Sequence, residues 1–126
     1  MRRIYDCFLF DGEFVMLAHR IAELDGVVDQ HILVEGAQTM QGASKPLAWA
    51  EARATRPDLA ARIRHVGLPR LGPADSSGWD REAFQRNAAV FALQDARPDD
   101  LVLILDVDEI PDPAVLRRLK RDGLER

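Results

Sequence analysis

Two aspartates two positions apart give the clearest chemical signal in the sequence. Asp106 and Asp108 directly follow the apolar run at residues 101–105 (Leu-Val-Leu-Ile-Leu). Alternate residues of a strand point to one face, so we expect both carboxylates to project together while Val107 turns into the core. Carboxylates suit Mg²⁺ or Mn²⁺, which often share them with a phosphate. The spacing therefore predicts a divalent-cation site, and the alternative is two incidental acids at a solvated strand end.

The run at residues 101–105 also predicts where these acids lie in the fold. Consecutive apolar, mostly branched residues are typical of a strand buried on both faces, as in the centre of a parallel sheet. Pro111 ends the extended segment because proline has no backbone N–H to donate. Ligands of open α/β sheets bind at the carboxyl ends of the strands, where Asp106 and Asp108 are expected.

A second set of candidate ligand-binding residues lies on a helix predicted at residues 79–96. Arg81 and Arg86 come near its start, where free backbone N–H groups favour an anion, and a guanidinium binds two phosphate oxygens at once. Gln85 and Asn87 flank Arg86 and extend this polar group. The alternative is a solvated helix face with an ion pair between successive turns.

The face of this helix that packs on the sheet is predicted from its apolar residues. Phe84, Ala88 and Phe91 recur at spacings of four and three, which is typical of a core-facing stripe. The polar residues are then expected on the other side of the helix. A proline after Arg97 disfavours continuation of the helix.

Three polar residues in the first half of the chain are further candidates. Glu35 ends a predicted strand at the same sheet edge and could accept hydrogen bonds from a ribose or base, or simply cap the strand end. Asp6 lies within an apolar strand, where a buried carboxylate needs a partner. That partner is either Arg86 or the metal site, or a purely structural group. Lys45 either reaches a phosphate or is solvated.

The order of the elements predicts the fold that positions these residues. Strands are predicted at residues 4–10, 31–35, 63–66 and 101–105, with helices between them and a last helix after Asp112. Alternating strands and helices imply a mostly parallel sheet with right-handed crossovers. The predicted fold class is therefore α/β: a Rossmann-like, three-layer αβα sandwich formed by a single domain over residues 1–126.

Composition and charge exclude several classes of protein. The net charge of -4 argues against a general nucleic-acid binder, which would normally carry a basic face. The single cysteine, Cys7, excludes an intramolecular disulfide and fits a reducing compartment. His19, His31 and His65 show no ligand spacing, so they are expected to be surface or strand histidines. No signal peptide or membrane span is visible, and the expected location is cytoplasmic.

Several motifs occur in an order that identifies a family resemblance. The two most specific are Arg81-Glu-Ala-Phe-Gln-Arg-Asn87 and Asp106-Val-Asp-Glu-Ile-Pro111. The other contributing positions are residues 4–10, Glu13, Leu17, Arg20, Glu23-Leu24, Val28-Asp29, Val34-Glu35, Thr39, Gly42, Lys45-Pro46-Leu47 and Trp79. Together they resemble glycosyltransferase family 17, the family of the β-1,4-mannosyl-glycoprotein N-acetylglucosaminyltransferases, over nearly the whole chain.

The resemblance implies both a fold and a reaction. It implies a GT-A-like nucleotide-binding domain, a UDP-sugar donor such as UDP-GlcNAc, and inverting transfer to a glycan hydroxyl. A Mn²⁺ or Mg²⁺ held by Asp106 and Asp108 would stabilise the departing diphosphate. The donor-binding residues expected from this scheme are Asp6, Glu35, Lys45, Arg81, Gln85, Arg86 and Asn87.

Enzymes of this type resemble two joined halves, the second of which holds the acceptor cleft and usually the catalytic base. The sequence ends at Arg126, soon after Pro111. We therefore expect a donor-binding half whose catalytic base is not in this chain, whether a naturally short relative, a truncated product or a fragment. An uncovered sheet edge at residues 101–105 favours a homodimer or larger assembly, or a partner that supplies the acceptor half.

Two other classes of function stay open. A haloacid-dehalogenase-like phosphatase also places an Asp-x-Asp pair after an apolar strand and uses the first aspartate as nucleophile, although that strand normally opens the domain. The non-enzymatic alternative is a degenerate domain that binds a nucleotide sugar or serves only in assembly. An EF-hand is excluded because Pro111 stands where its loop needs a tight glycine turn.

Overall fold

The computed structural model describes residues 2–124 and contains one four-stranded sheet in which every pairing is parallel. The strands are β1 (Ile4–Leu9), β2 (Gln30–Gly36), β3 (Ile63–Leu68) and β4 (Leu101–Asp106). Their spatial order is β3-β2-β1-β4. The α/β class and the four predicted strands are confirmed, including the third strand, whose apolar pattern is the weakest.

Across residues 2–124, five α-helices connect and follow the strands. They are α1 (Phe14–Glu23), α2 (Ala48–Ala52), α3 (Pro57–Ala60), α4 (Gly78–Asn87) and α5 (Pro113–Asp122), with 3₁₀ turns at Arg53–Thr55 and Ala88–Ala92. The helix predicted at residues 79–96 is therefore shorter than expected, because its last turns tighten into a 3₁₀ turn, as helix ends often do. Between residues 2 and 124 no helix is long and apolar enough to cross a membrane.

The two faces of the sheet are covered by different elements. On one face, Tyr5 and Cys7 of β1 pack with the Ala88–Ala92 turn. On the other face, Phe8 packs with α1 and with Trp49 of α2. A smaller cluster joins Leu101 at the start of β4 to α5. These side chains alternate along β1 as a period of two requires, so helices lie on both faces of the sheet.

Side-chain caps fix the first turns of α4 and α5. The Ser77 hydroxyl accepts a hydrogen bond from the Asp80 N–H at 3.1 Å, and the Asp80 carboxylate accepts one from the Ser77 N–H at 3.0 Å. The Asp112 carboxylate accepts from the Ala114 N–H at 2.8 Å, and Pro113 opens α5. The last helix therefore begins after Asp112 as predicted, and proline is tolerated at its first position because the N–H group that it lacks would have no partner within the helix.

The position of β4 contradicts the central strand that its apolar run predicts, and it agrees with the sheet edge expected at residues 101–105. Strand β4 lies at an edge of the sheet and not in its centre. Val102 and Ile104 sit beside Tyr5 and Cys7 on one face, but they are 41% and 45% exposed because the Ala88–Ala92 turn does not extend over them. An unbroken apolar run shows that a strand is apolar on both faces, but it carries no information about which strands lie beside it.

The orientation of α4 is also opposite to the prediction. Arg81 and Gln85 are buried, whereas Phe84 is 41% exposed, and Phe91 in the following turn is 65% exposed. The reason is that both polar side chains donate hydrogen bonds to backbone carbonyls of the β2 strand and the loop after it. Of the predicted stripe, only Ala88 packs in the core. Hydrogen bonding to the backbone therefore decides which side of this helix faces inward.

Candidate functional site

A cavity of about 580 Å³ lies at the carboxyl ends of the strands. Its walls come from the segments that follow β1, β2 and β4 and from one side of α4. Its polar lining residues are Asp11, Glu13, Gln38, Thr39, Gln41, Lys45, Glu82, Gln85, Asp106 and Asp108. The cavity therefore occupies the edge at which open parallel sheets bind their ligands.

The two aspartates of the predicted metal site both line this cavity. Asp106 is the last residue of β4, Asp108 lies in the turn after it, and Val107 between them is only 1% exposed. The period-two prediction for these residues is thus confirmed in their placement. Asp108 is exposed, and its carboxylate faces open space rather than the protein core.

Arg86 of α4 contacts Asp106 but is not itself one of the residues that line the cavity. Its Nη2 donates to Asp106 Oδ1 at 3.0 Å and to Glu82 Oε1 at 3.1 Å. Burial disfavours the charged form of Arg86, but the hydrogen bond to Glu82 and the charge of Asp106 outweigh it and raise the pKa of the guanidinium. The ion pair between successive helical turns, expected as the alternative to phosphate binding, is therefore present between Glu82 and Arg86, and a positive charge also lies against one of the two aspartates.

Arg20 of α1 holds the turn that carries both aspartates. Its Nη1 donates to the backbone carbonyls of Asp106, Val107 and Glu109 at 3.1, 3.2 and 2.7 Å. Within the turn, the Asp106 N–H donates to Glu109 Oε1 at 2.8 Å, and the Glu109 N–H donates to the Asp106 carbonyl at 3.0 Å. The turn is therefore fixed by its own hydrogen bonds and by one buried cation.

Asp6 is the partner of that cation. Arg20 Nε and Nη2 donate to its two carboxylate oxygens at 2.9 and 2.6 Å, and His31 Nδ1 lies 2.8 Å from one of them. Burial works to raise the pKa of Asp6, but the hydrogen bonds from Arg20 and His31 prevail and hold it below its usual value. Asp6 is fully buried and lies outside the cavity lining. Of the partners considered for it, the structure shows the structural one.

Glu35 is likewise engaged away from the cavity. Its carboxylate accepts hydrogen bonds from the backbone N–H groups of Trp49 and Ala50 at 2.9 and 3.0 Å and contacts His65 Nε2 at 2.6 Å. Burial favours the neutral acid, yet these donors together lower the pKa of Glu35. The side chain is 2% exposed and does not line the cavity, so its place matches the predicted alternative of a capped strand end.

The remaining candidates divide into two groups. Lys45 and Gln85 line the cavity, where Lys45 forms an ion pair with Asp11 and Gln85 Nε2 donates to the Val34 carbonyl at 2.9 Å. Arg81 and Asn87 do not line it. Arg81 is 8% exposed and its Nη1 donates to the Met40 carbonyl at 3.0 Å, which anchors the loop after β2. Asn87 is exposed on the outer side of α4.

Sequence reasoning missed several residues of the site, among them Arg20, which holds the turn, and Gln38, which lines the cavity. Arg20 falls between Leu17, Ile21 and Leu24 on the apolar stripe of α1, and a charge on a buried stripe signals a buried partner. Gln38 lines the cavity and accepts from the Leu71 N–H at 2.7 Å through Oε1. Its loop has no periodicity, so no spacing signal distinguishes it.

The donor set at Asp106 and Asp108 limits how a metal could be held. Among residues 2–124 no group of three or more His, Cys, Asp or Glu side chains is arranged to hold a metal ion. Two carboxylates therefore have to be completed by oxygens from a ligand or from water. Mg²⁺ commonly binds in this way, with one or two carboxylates and the phosphates of a substrate.

The sequence matches one family model and several curated proteins. The model of glycosyltransferase family 17 matches residues 1–124. The β-1,4-mannosyl-glycoprotein 4-β-N-acetylglucosaminyltransferases of Rattus norvegicus and Homo sapiens are each 31% identical to this chain over 117 residues. These matches cover 87% of this chain but only 22% of each relative, so the chain spans about a fifth of the length of the curated relatives. No solved structure matches it.

Proposed function

The chain belongs to glycosyltransferase family 17, and from this premise we propose that its cavity binds the diphosphate of a UDP-sugar, UDP-GlcNAc, together with Mn²⁺ or Mg²⁺. The bound donor would serve inverting transfer of its sugar to a glycan hydroxyl. The choice of UDP-GlcNAc is supported by the names of the relatives, which are N-acetylglucosaminyltransferases.

The charge of the cavity lining carries this proposal. Its charged residues are Asp11, Glu13, Lys45, Glu82, Asp106 and Asp108, which amounts to five carboxylates and one ammonium group. Such a lining would repel a free diphosphate, because like charges brought together in a partly desolvated cavity raise the free energy. A divalent cation held by the aspartates would remove that repulsion by neutralising part of the negative charge. The cavity therefore fits a nucleotide diphosphate only as a metal complex.

Asp106 and Asp108 are the residues that would hold the cation. They fit it because they come from one rigid turn, and because Asp108 is exposed to the cavity. When bound, the cation acts as a Lewis acid that stabilises the negative charge of the leaving diphosphate. Arg86, already within hydrogen-bond distance of Asp106, places a second positive charge beside the phosphates.

The other candidate residues divide into donor-facing and supporting roles. Lys45 and Gln85 line the cavity and are proposed to contact the donor directly. Arg81 supports the wall through the Met40 carbonyl, and Glu35 supports it through the start of α2. No catalytic base is assigned among these residues. We propose that another part of the enzyme binds the acceptor glycan and supplies the catalytic base.

Titration calorimetry with UDP, with and without Mn²⁺, tests the proposal. The wild-type chain is expected to bind UDP much more tightly with Mn²⁺ than without it. In Asp108→Ala the UDP affinity measured with Mn²⁺ is expected to fall by at least about tenfold. Asp99→Ala is the matched control, because Asp99 is an exposed acid beyond the opposite end of β4. Equal affinities in every combination would refute the site.

A second assay separates the transferase from the phosphatase alternative. A phosphatase would hydrolyse simple phosphate esters such as p-nitrophenyl phosphate, and the proposed donor site would not. Metal-dependent UDP binding without ester hydrolysis supports donor binding. Hydrolysis that disappears in Asp106→Asn would instead favour the phosphatase, in which the first aspartate is the nucleophile.

A further inference from the structure

Arg20 is a fully buried cation close to the site. It has no exposed surface, and its guanidinium lies over the Phe8 ring at 5.1 Å. Removing a guanidinium from water costs several kcal/mol unless charge and hydrogen bonds replace the lost solvation. A buried guanidinium is therefore stable only where its contacts compensate for the lost solvation.

The two ends of the guanidinium make different kinds of contact. Nε and Nη2 bind the carboxylate of Asp6 in a bidentate arrangement, the geometry in which Arg and Asp interact most strongly. Nη1 points the opposite way and meets three carbonyl oxygens, those of Asp106, Val107 and Glu109. Asp6 therefore fixes the position of the guanidinium relative to β1. Through Nη1, the guanidinium holds the turn after β4.

The three carbonyls need a cation where Arg20 lies. Their oxygens converge on one nitrogen, so the negative ends of three peptide dipoles face one another. Within residues 2–124, the Glu109 N–H is the other donor found on these oxygens, and it reaches only that of Asp106. Without Arg20 the turn would have to change its backbone conformation, and with it the direction of the two aspartate side chains.

We propose that Arg20 is a positioning residue for metal binding: it holds the backbone of residues 106–109 so that the carboxylates of Asp106 and Asp108 face the same cation. This inference rests on the proposed function, because it assigns a role toward the cation of that same site. Asp6 and His31 act one step further away, since they orient the guanidinium and do not touch the turn.

The chain contains a second Arg–Asp pair away from the site, in which Arg64 and Asp95 are partly exposed rather than buried. Arg64 binds Asp95 in a bidentate arrangement at 2.7 and 2.8 Å, and its Nη1 also donates to the Ala92 carbonyl at 2.9 Å. Its contacts are thus of the same kind as those of Arg20, but Asp95 and Ala92 do not line the site cavity. Arg64→Lys therefore controls for the loss of an Arg–Asp pair as such.

The experiment compares Arg20→Lys with Arg64→Lys by two measurements. Lysine keeps the positive charge but cannot bind Asp6 in a bidentate way while reaching three carbonyls. Mn²⁺ should raise the UDP affinity of Arg20→Lys at least about tenfold less than it raises that of the wild type. A loss of this size is usual when a residue that supports metal ligands is replaced. The metal-free UDP affinity of Arg20→Lys should stay unchanged, and amide exchange of the Glu109 N–H should accelerate. Arg64→Lys should change neither.

A variant without unpaired buried charge covers the case in which Arg20→Lys does not fold. The double variant Asp6→Asn/Arg20→Gln removes both charges together, so no buried charge is left without its partner. We expect it to fold, to exchange the Glu109 amide faster and to lose the same metal-dependent gain.

The outcomes distinguish the inference from the function on which it rests. If a folded Arg20→Lys or the double variant keeps the full Mn²⁺-dependent gain, the positioning role is refuted and the donor site stands. If the wild-type chain shows no Mn²⁺-dependent gain at all, the proposed function fails and the positioning role fails with it. A gain lost equally in Arg64→Lys would also refute the inference, because the effect would then be one of general stability.

Discussion

Strands β2 and β4 both place an acidic residue at their carboxyl ends, yet the two acids have opposite environments. Glu35 of β2 is 2% exposed and is bonded to two backbone N–H groups and a histidine. Asp106 of β4 and Asp108 after it line an open cavity. Both strand ends carry carboxylates, and what differs is the number of hydrogen-bond donors that the next segment of the chain brings to them.

This difference separates acids that hold the fold from acids that are free to bind. After β2, the chain returns so that the first turn of α2 lies against Glu35. Two backbone N–H groups of α2 donate hydrogen bonds to the Glu35 carboxylate. After β4, the turn is held through its backbone by Arg20, so the Asp108 side chain is not used. An acid at a strand end is available to a ligand only where its own turn is stabilised by something else.

The largest expected effect is on stability and comes from Glu35. Glu35→Ala should lower the free energy of unfolding by roughly 3 kcal/mol, because it leaves the buried N–H groups of α2 without an acceptor. Urea denaturation monitored by circular dichroism measures this loss. Glu51→Ala, which removes an exposed acid of the same helix, should change the stability by less than about 0.5 kcal/mol. A comparable loss in both variants would show that Glu35 is not special to the fold.

Acid should weaken the Glu35 interaction without mutation. The folded-state pKa of Glu35 is lowered below its ordinary value of 4.5 by the His65, Trp49 and Ala50 donors, which outweigh burial. A lowered folded-state pKa gives stability that is present above the unfolded-state pKa and is lost as pH falls through the folded-state pKa. The wild-type chain should therefore lose stability more steeply below pH 4.5 than Glu35→Ala does. Parallel curves of stability against pH would contradict this assignment.

Loss of Asp108 should have the reverse pattern, with binding affected and the fold unchanged. Asp108→Ala should weaken Mn²⁺-dependent UDP binding by about 1.4 kcal/mol or more, a tenfold change. Its free energy of unfolding should stay within about 0.5 kcal/mol of wild type, because the side chain is exposed. Calorimetry and urea denaturation on the same preparation measure both quantities. Destabilisation similar to that of Glu35→Ala would remove the distinction between the two strand ends.

The smallest effect is expected at Lys45. Its ion pair with Asp11, whose side chain is 71% exposed, should contribute less than about 0.5 kcal/mol to stability. Lys45→Ala should nevertheless lower UDP affinity severalfold, because it removes the one ammonium group from an acid-rich lining. Lys45→Arg is the control that keeps the charge. Unchanged UDP affinity in Lys45→Ala would place the diphosphate away from this wall of the cavity.

The sequence was sufficient for the strands and for the placement of Asp106 and Asp108. Period-two geometry alone puts both carboxylates on one side and Val107 in the core, and parallel strands bring their carboxyl ends to one edge. It was not sufficient for Glu35, because the groups that occupy its carboxylate are backbone N–H groups of Trp49 and Ala50. Every residue type except proline carries such a donor, so no sequence pattern marks it.

Two further features were beyond sequence reasoning for related reasons. The edge position of β4 depends on strand order, which an apolar run does not encode. The inward orientation of Arg81 and Gln85 depends on two carbonyls distant in the chain, those of Met40 and Val34. In contrast, Arg20 was detectable, since a charge on the apolar stripe of α1 requires a buried partner. Asp6 was the buried acid to pair with it.

The pairing of β1 with β4 determines when the site can form during folding. Ile4 pairs with Leu101, so this contact closes a loop of roughly 100 residues, whereas β1, β2 and β3 need only the chain up to Leu68. Contacts between distant parts of a chain form slowly, and a nascent chain would leave the ribosome with β4 last. Before β4 has left the ribosome, a nascent chain can already form the hydrogen bonds of Glu35. It still lacks the two aspartates and the turn that Arg20 holds. The cavity is therefore assembled later than the part of the sheet formed by β1, β2 and β3, and any delay in docking β4 would appear as a lag between compaction and the gain of UDP binding.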